Sequence, residues 1–394
     1  MKHRNRKILT AILAAGTIAS LAACSSNLSS DAAGGAAETE KGPITIGVLV
    51  DQTAYLKTVD TGVLDGIDAA VKTINESGGV LGGRLIETVV ADTSADPQTQ
   101  VQAFQKLQTQ NEPVMFITGF SSAGNAAVAP LAASSETPLV VSSVVPADDP
   151  EWVFSTITPA RYETGIRVDY LKEQGITSVG ILHDPTPYNK ALLDTLTAQL
   201  GEANITVVGA EEHASDAVDL GAQTQKLLSS NPGGIIKLSA GPTQIIAAKA
   251  LADAGSEIPL LIGIESRANI VQADAAYPHL LLAAAPLQVA DELEKAEISD
   301  SITKFLEFNP GLEDPTYVGR GWDAMHIAIQ AIETAGSTSG TEIRDALISM
   351  DPYDGTSGNY DYTDDDHYGI TTNPDYLAEV TEDSTKIVYR PEER

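Results

Sequence analysis

The segment INESGGVLGGR, residues 74–84, determines how the surrounding sequence is interpreted. Its four glycines lie between an amphipathic helical pattern over 62–75 and a β-branched run over 85–91. Glycine tolerates positive φ at a helix end and in a tight turn, so the segment predicts a helix that stops and turns directly into a strand. A phosphate-binding loop is the alternative, but it would need a helix start after the glycines and a Gly-Lys-Ser/Thr sequence, and neither follows.

Strand and helix patterns alternate on both sides of this turn. Ile44–Val50 predicts a buried strand before it, and β-branched runs alternate with helical stretches after it as far as Ser142. A second series with the same order occupies Ser178–Ile262. The repeated βαβα order predicts an α/β fold with two domains, each built on a parallel sheet with helices on both faces. Ligands bind such sheets in the loops beyond the carboxyl ends of the strands.

The N terminus has the features of an exported lipoprotein precursor. A basic start at Lys2–Lys7 precedes an apolar segment over Ile8–Ala23, whose length and small terminal residues are typical of a secretory signal. The sequence Leu-Ala-Ala-Cys ends at Cys24, the only cysteine in the chain, and resembles a bacterial lipobox. Residues 1–23 are therefore predicted to be a signal peptide, with Cys24 diacylated. Residues 24–42 are predicted to be a flexible tether; an ordinary signal peptide with an incidental cysteine is the alternative.

The chain is long and strongly acidic. Its 394 residues include 54 acidic and 24 basic side chains, giving a formal net charge of −30. A chain of this length exceeds what one hydrophobic core usually organises, which favours two domains. So much negative charge disfavours nucleic acid as a partner and repels anionic lipid heads, so membrane attachment is expected through the acyl anchor. Since Cys24 is assigned to the anchor, stability must come from packing rather than from a disulfide.

Hydroxyl-bearing residues follow two neighbouring predicted strands. The sequence GFSSAG follows one strand and opens a helix, where free amides and the hydroxyls of Ser121 and Ser122 suit a carboxylate or carbonyl oxygen. Both serines could instead serve only as helix caps. Ser142, Ser143 and Val144 end the next strand and are expected at the same edge of the sheet. These two loops are the first candidate ligand contacts.

Several motifs resemble those of type I periplasmic binding proteins of the branched-chain amino acid class. They are the Gly-rich segment 74–84 with Asp92 and Pro97 after it, APLA at 129–132, GWDA at 321–324 and GTSG at 355–358. The resemblance implies two Rossmann-like lobes with parallel sheets, joined by three hinge crossings. Lobe 1 is expected to comprise residues 43–158 and 287–355, and lobe 2 residues 159–286 and 356–394.

The resemblance also implies a transport role. A protein of this class captures a small polar molecule, most often a branched-chain or other amino acid, between its lobes. It then delivers the ligand to an ABC permease and its ATPase, outside the cytoplasm and without cofactor, metal or catalysis. With the lipid anchor, this chain is expected on the outer face of the cytoplasmic membrane or in the periplasm.

The resemblance assigns roles to several loop residues. Ser121 matches a serine that holds the ligand carboxylate, and the backbones of Ser142 and Val144 match further contacts. Glu265 lies in a second-lobe loop whose acid pairs with a ligand ammonium. Tyr188 matches a tyrosine that covers the site from the second lobe. Closure of lobe 2 over a ligand held by lobe 1 is the implied mechanism.

The sequence departs from the family pattern at two of these contacts. Val144 stands where a threonine hydroxyl is expected, and a second-lobe tyrosine is missing within Ser239–Gly241. Glu265 could instead form an ion pair with Arg267, and Tyr55, after the first strand, is either a wall of the site or a packed aromatic residue. These departures keep a short amide, urea or an aromatic acid open as ligands.

A hydrolase and a ligand sensor are the alternative function classes. A hydrolase would need a Gly-x-Ser-x-Gly elbow, which fails because Ala123 occupies its last position, and neither His183 nor His326 lies in a catalytic motif. The acidic run at 364–366 lacks the spacing of a calcium loop. A sensor that reports the ligand to a signalling receptor would use the same binding residues, so the sequence leaves that alternative open.

Overall fold

The computed structural model describes residues 42–147, 150–239, 241–265, 267–310, 312, 315–380 and 385–391. The predicted signal peptide, Cys24 and the tether up to residue 41 lie outside the described residues. In the described parts the strands are β1 Ile44–Val50, β2 Ile86–Asp92, β3 Met115–Thr118, β4 Leu139–Val141, β5 Val153–Ser155, β6 Ser178–His183, β7 Thr206–Glu212, β8 Gly234–Leu238, β9 Leu260–Ile262, β10 Leu280–Ala284, β11 Tyr353–Asp354, β12 Asn359–Tyr360, β13 Tyr376–Val380 and β14 Thr385–Tyr389. The helices are α1 Lys57–Glu76, α2 Pro97–Asn111, α3 Ser122–Ser134, α4 Ala160–Glu173, α5 Pro187–Glu202, α6 Gly221–Leu228, α7 Thr243–Asp253, α8 Arg267–Ala276, α9 Asp300–Phe308, α10 Thr316–Ala335 and α11 Gly340–Ser349.

The first lobe is built on five parallel strands in the order β2-β1-β3-β4-β5. Alternate side chains of β1 face opposite sides, so Ile46 and Val48 pack with α1, α10 and α11, while Leu49 packs with α2 and α3. Helices therefore cover both faces, as the alternating pattern predicted. Because β1, β3 and β4 are neighbours and parallel, the loops that follow them lie side by side.

The second lobe is built on the order β14-β13-β10-β9-β8-β6-β7. Strands β6 to β10 are parallel, whereas β13 is antiparallel to β10 and β14 is antiparallel to β13. Helices α4 and α5 pack on one face, and α6, α7 and α8 on the other. The predicted α/β class with two lobes and parallel sheets is confirmed, and the sequence analysis missed the antiparallel edge formed by the two C-terminal strands.

The chain passes between the lobes three times. The first crossing joins β5 to α4, the second follows β10, and the third leads into β13. Tyr360, Tyr362 and Ile370 belong to the core of the first lobe, where the ring of Tyr362 packs edge-on to Phe154 at 5.3 Å. The predicted lobe boundaries stay a prediction. The packing of these residues against the first lobe favours a third boundary after Ile370 over the predicted one at residue 355.

Two glycines allow α1 and α10 to pack unusually closely. A Cβ on Gly66 would lie 1.9 Å from the carbonyl oxygen of Val318, and one on Gly321 would lie 1.9 Å from that of Val63. Any side chain there would force the helices apart. The glycine of the GWDA motif is therefore explained by core packing of the first lobe and not by ligand contact.

The Gly-rich segment forms the predicted turn. Gly78, Gly79, Gly82 and Gly83 have φ of +107°, +72°, +85° and +102°. Asn75 joins the helix end to the next strand, since its side-chain amide donates to the carbonyl of Ile86 at 2.9 Å and its side-chain oxygen accepts from the Ile86 amide at 2.8 Å. The segment thus fixes how α1 connects to β2, which confirms the structural interpretation of the motif.

Candidate functional site

The candidate site lies where the carboxyl ends of the two parallel sheets face each other. In the first lobe, the loops after β1, β3 and β4 carry Tyr55, the two serines of GFSSAG and the segment 142–144. In the second lobe, the loop after β9 carries Glu265, and α5, which follows β6, carries Tyr188. Sheet order therefore brings the predicted residues of each lobe to one edge, as expected for ligand sites in parallel sheets.

A buried carboxylate, which the sequence analysis missed, organises the first-lobe loops. Asp60 accepts a hydrogen bond from the amide of Asp51 at 2.7 Å and another from the amide of Phe120 at 2.8 Å. It thereby ties the loop after β1 to the loop after β3. Burial raises the pKa of Asp60 to about 7, opposed by these two backbone hydrogen bonds.

Ser121 and Ser122 occupy the start of α3. The hydroxyl of Ser121 accepts from the amide of Gly124 at 3.3 Å, which is the helix cap that the sequence analysis offered as an alternative. The hydroxyl of Ser122 accepts from the backbone amide of Tyr188 at 3.4 Å. Since Ser122 belongs to the first lobe and Tyr188 to the second, this contact bridges the cleft.

The loop after β4 is almost completely buried. The Ser142 hydroxyl lies 3.5 Å from that of Thr156, and the Ser143 carbonyl accepts from the Ser155 hydroxyl at 2.7 Å. Within the described residues, the Ser143 hydroxyl has no hydrogen-bond partner. Val144 is 9% exposed. The Ser143 hydroxyl is therefore a buried polar group of this loop that remains available to hydrogen-bond a ligand.

Both candidate tyrosines lie between the lobes. Burial raises the pKa of Tyr55 to about 12, and Asp184 of the second lobe contributes most among the nearby carboxylates. The Tyr188 hydroxyl donates to Glu163 at 2.8 Å, and burial followed by the Glu163 charge raises its pKa well above the usual value. Tyr188 is thus held by a second-lobe carboxylate that the sequence analysis did not single out.

Glu265 is surrounded by hydrogen-bond donors. One carboxylate oxygen accepts from the amide of Gly241 at 2.7 Å and from Gln244 at 3.1 Å. The other accepts from Asn269 at 3.1 Å and from the hydroxyl of Tyr317, which belongs to the first lobe, at 3.3 Å. The side chain of Arg267, its predicted alternative partner, lies outside the described residues. Glu265 is therefore buried with each oxygen already accepting two hydrogen bonds.

A buried ionic cluster lies at the hinge end of the cleft, and the sequence analysis missed it. Arg167 donates to Glu163 at 2.7 Å, and both side chains are almost fully buried. Arg320, on α10 of the first lobe, donates to the carbonyl of Thr156 at 3.0 Å. Asp375, at the third crossing, accepts from Thr158 at 3.1 Å. Glu163 and Arg167 have the spacing of an ordinary surface pair, so helical periodicity alone did not reveal their burial.

The charges of this cluster act on one another. Burial and the charge of Glu163 raise the pKa of Asp375 to about 7, although Arg320 and Arg167 act to lower it. The same two guanidinium groups lower the pKa of Tyr188. Arg167 and Arg320, from opposite lobes, are therefore close enough to influence the same two side chains.

A second missed group is a buried lysine in β8. Lys237 donates to the hydroxyl of Ser239 and lies 3.4 Å from the carbonyl of Leu238. Burial lowers its pKa to about 7, opposed by the charges of Asp184 and Glu265. An apolar strand pattern with one lysine near its carboxyl end was the signal available in the sequence.

The described residues show no cluster typical of a metal site, and both candidate histidines lie against backbone carbonyls. In these parts of the chain, no three His, Cys, Asp or Glu side chains are grouped to hold a metal ion. The Nδ1 atom of His183 lies 3.4 Å from the Asp184 carbonyl, and that of His326 lies 2.9 Å from the Trp322 carbonyl. Across the same parts, no helix combines the length and apolar character needed to cross a bilayer.

Comparison with known proteins agrees with this geometry. A family model described as periplasmic binding protein matches residues 43–385. The chain is 28% identical to the Leu/Ile/Val-binding protein homolog 3 of Brucella melitensis over 48% of its own length and 52% of the relative's length. It is 22% identical to the Leu/Ile/Val-binding protein homolog 1 of Brucella suis over 85% of this chain and 89% of that relative. An extracellular ligand-binding receptor from Rhodopseudomonas palustris superposes with a TM-score of 0.80 at 18% identity, covering 89% of this chain and all of the receptor.

Proposed function

The chain belongs to the periplasmic binding protein family, and from this premise we propose that it is the solute-binding lipoprotein of an ABC importer. The relatives that match most of its length are described as Leu/Ile/Val-binding protein homologs, which supports this proposal. In our proposal it captures a small polar metabolite in the cleft and presents the closed form to a permease and its ATPase. Cys24, if diacylated, keeps it at the outer face of the membrane.

The observation that carries this proposal is the direct contact between the lobes across the cleft. The Tyr188 amide of lobe 2 donates to Ser122 of lobe 1. The Tyr317 hydroxyl of lobe 1 lies 3.3 Å from both the Ile264 carbonyl and the Glu265 carboxylate of lobe 2, which share its one proton. Contacts of this kind exist only when the lobes are together. A ligand that binds between the lobes shifts the hinge equilibrium by its preference for this closed state.

The start of α3 is the proposed docking point for the polar end of the ligand. In the described chain, the amides of Ser121, Ser122 and Ala123 donate to no protein acceptor. The first amides of a helix attract an anion or a carbonyl oxygen, because they carry the positive end of the helix dipole. The Ser143 hydroxyl, unpaired and buried on the neighbouring loop, adds a further polar group.

The proposal is tested by ligand screening and solution scattering on the mature protein. A library of amino acids, short amides, urea and carboxylic acids is screened by thermal shift. A ligand at about 100 times its Kd stabilises the folded state by about 2.7 kcal/mol. The same ligand should reduce the radius of gyration as the cleft closes. If no metabolite binds and narrows the gap between the lobes, the proposed function is wrong.

Two variants locate the site once a ligand is known. Ser121→Ala combined with Glu265→Gln should weaken binding more than tenfold while the protein stays folded. The first change removes a hydroxyl at the docking point, and the second weakens the contact with Tyr317 that joins the closed lobes. Ser134→Ala and Glu257→Gln are matched controls, because both residues are exposed and distant from the cleft loops. Normal affinity in the double variant would show that the site is misplaced.

The anchor is tested separately. Cys24→Ser should release the protein from membranes and abolish incorporation of a labelled fatty acid, with ligand binding unchanged. Retention at the membrane in the variant would contradict the proposed lipoprotein. Ligand uptake in cells that lack the chain, restored by the wild type, tests delivery to the permease and distinguishes it from a sensing role.

A further inference from the structure

We propose that Arg320 and Arg167 form an anion subsite at the hinge end of the cleft, and that this subsite selects small carboxylic acids that have no ammonium group. The inference rests on the proposed function, because it names the class of ligand that the cleft would capture. It differs from the family resemblance, which assigned the ligand charges to Ser121 and Glu265.

The first support is a set of guanidinium N–H groups without acceptors. Arg167 is fully buried and Arg320 is 3% exposed. Within the described residues, Nε and Nη1 of Arg167 and Nε of Arg320 are buried and have no hydrogen-bond partner. Buried polar groups are normally paired, and an unpaired donor of this kind costs about 1–3 kcal/mol. Three such atoms in a ligand-binding cleft indicate a missing acceptor.

The second support is the balance of charge. Arg167 has a carboxylate partner in Glu163, but across the described chain Arg320 takes part in no ion pair. Its one hydrogen-bond acceptor is the neutral carbonyl of Thr156. The buried carboxyl groups that Arg320 influences are Asp375 and Asp323, and burial raises the pKa of each to about 7. Both are therefore partly protonated near neutral pH, and a buried guanidinium group that they compensate only in part favours an anion. A carboxylate suits the planar guanidinium group better than a neutral amide does.

The third support is the position of Arg320 beside the proposed docking point. Its guanidinium carbon lies 5.9 Å from the centre of the Phe120 ring, and Phe120 directly precedes Ser121. An anion that contacts Arg320 would therefore lie near the first amides of α3. The helix start and the guanidinium group would stabilise the same charge.

The absence of a second charge on the ligand is inferred from Glu265. Three protein donors, together with the Tyr317 proton that is shared with the Ile264 carbonyl, already occupy its two carboxylate oxygens. Four acceptor positions are about the capacity of a carboxylate, so an added ammonium would have to displace a protein donor. The missing threonine at Val144 and the missing tyrosine near Ser239 remove two polar positions that amino-acid binders use. The cleft is equipped for a carboxylate and lacks a prepared place for an amine.

Matched ligands test this inference without any mutation. Isothermal calorimetry compares 4-methylpentanoate, leucine and 4-methylpentanamide, which share a carbon skeleton, and benzoate with benzamide. We expect at least one acid to bind more than tenfold more tightly than its amide and its amino acid. If an amide or an amino acid binds as tightly as the acid, or if only those compounds bind, the inference is wrong although the proposed function stands.

Arginine variants then identify the subsite. Arg320→Gln should lower the affinity for the acid more than tenfold and leave the amide affinity within threefold, while Arg320→Lys should retain part of the preference. Arg344→Gln is the matched control, because Arg344 is a partly buried arginine of the first lobe that pairs with Glu151 outside the cleft. An unchanged acid-to-amide ratio in Arg320→Gln would show that water, and not the ligand, satisfies the guanidinium group. If no member of the whole library binds, both proposals fail together.

Discussion

Glu265 and Arg320 are both buried and charged, and both lie at the cleft, but their surroundings differ. Glu265 accepts hydrogen bonds from four donors, three in its own lobe and one from Tyr317 of the other lobe. Arg320 has one acceptor, the Thr156 carbonyl, and one buried N–H without any. Complete pairing is typical of a group that holds the protein together, whereas incomplete pairing indicates a group that awaits a ligand or water. The comparison therefore separates the structural charge of the cleft from its binding charge.

The largest expected effect is on stability, from removal of the satisfied carboxylate. Glu265→Ala should lower the free energy of unfolding by about 4 kcal/mol, because it leaves several buried donors without an acceptor. Glu265→Gln should lower the free energy of unfolding by about half as much. Its amide keeps one acceptor oxygen, but its NH₂ group faces protein donors and cannot accept their hydrogen bonds. Chemical denaturation measures both. Glu257→Ala, an exposed second-lobe change, is the control and should stay within about 0.5 kcal/mol of wild type.

A small loss of stability in Glu265→Ala would contradict the structural role of this carboxylate. If that variant unfolds with nearly wild-type stability but loses ligand affinity more than tenfold, the carboxylate acts chiefly on the ligand. The family role of pairing with an ammonium would then be restored for Glu265, and amino acids would return as the preferred ligands.

The stability of the hinge cluster should depend on pH through Asp375. Asp375 has a pKa of about 7 in the folded protein against 3.8 for an ordinary aspartate, so it binds its proton more tightly when folded. Its contribution to stability is therefore full below pH 3.8 and is lost as the pH rises through 7. Asp375→Asn should be nearly neutral at pH 4 and more stable than wild type at pH 8 by roughly 2–4 kcal/mol.

Unfolding free energies measured from pH 4 to pH 8 test this difference. The groups that act on Asp375 are Glu163 and Arg167 of α4, Arg320 of α10 and the hydroxyl of Thr158. Asp253→Asn, an exposed change at the end of α7, should keep the wild-type pH profile. If the free energy of unfolding of Asp375→Asn runs parallel to that of the wild type from pH 4 to pH 8, Asp375 is ionised over this whole range and is the counter-ion of Arg320. That result would also weaken the argument for an anion subsite.

The fold could be predicted largely from local patterns. The turn at 74–84 and the alternation of strands and helices depend on glycine conformations and on hydrophobic periodicity, which are local properties of the chain. Strand β14 was missed because it is a short, half-exposed edge strand, so its pattern resembles that of a surface loop. Strand β13 is buried at Tyr376, Leu377 and Ala378, but no helix connects it to β14, so it does not follow the alternating βαβα order. The contribution of Tyr360 and Tyr362 to the first lobe depends on packing between segments more than 200 residues apart, such as the hydrogen bond from Tyr362 to the Ser155 carbonyl.

The site could be predicted only in part. The positions of Ser121, Ser142 and Glu265 at strand ends followed from the order of the elements. Arg167 and Arg320 could not be recognised, because burial of a helical arginine depends on which helix face meets the other lobe. Arg320 did leave a signal, since it stands between two glycines in a helix whose other residues are mostly apolar. A charged residue in that setting is worth testing as a cleft residue.

A smaller effect is expected from the hydroxyl that links the cluster to the cleft. Tyr188→Phe removes the hydrogen bond to Oε2 of Glu163, while Arg167 still donates to Oε1, and should lower stability by about 1 kcal/mol. The ring is retained, so its cover over the cleft is unchanged and ligand affinity should fall less than fivefold. Thermal unfolding and calorimetry measure the two effects. Tyr170→Phe on α4 is the control, and an affinity loss above tenfold in Tyr188→Phe would show that the hydroxyl itself contacts the ligand.

The smallest expected effect is at the contact that bridges the lobes. Ser122→Ala removes an acceptor that lies 3.4 Å from the Tyr188 amide, a long and therefore weak hydrogen bond. It should change the free energy of unfolding by less than about 0.5 kcal/mol and weaken ligand binding less than threefold, because closure loses one marginal contact. Without ligand, Ser122→Ala should have a slightly larger radius of gyration than the wild type in solution scattering. Ser134→Ala, on the same helix, should have the wild-type radius. A tenfold loss of affinity would mean that Ser122 binds the ligand directly, so the unpaired groups that define the site would extend from the hinge to the start of α3.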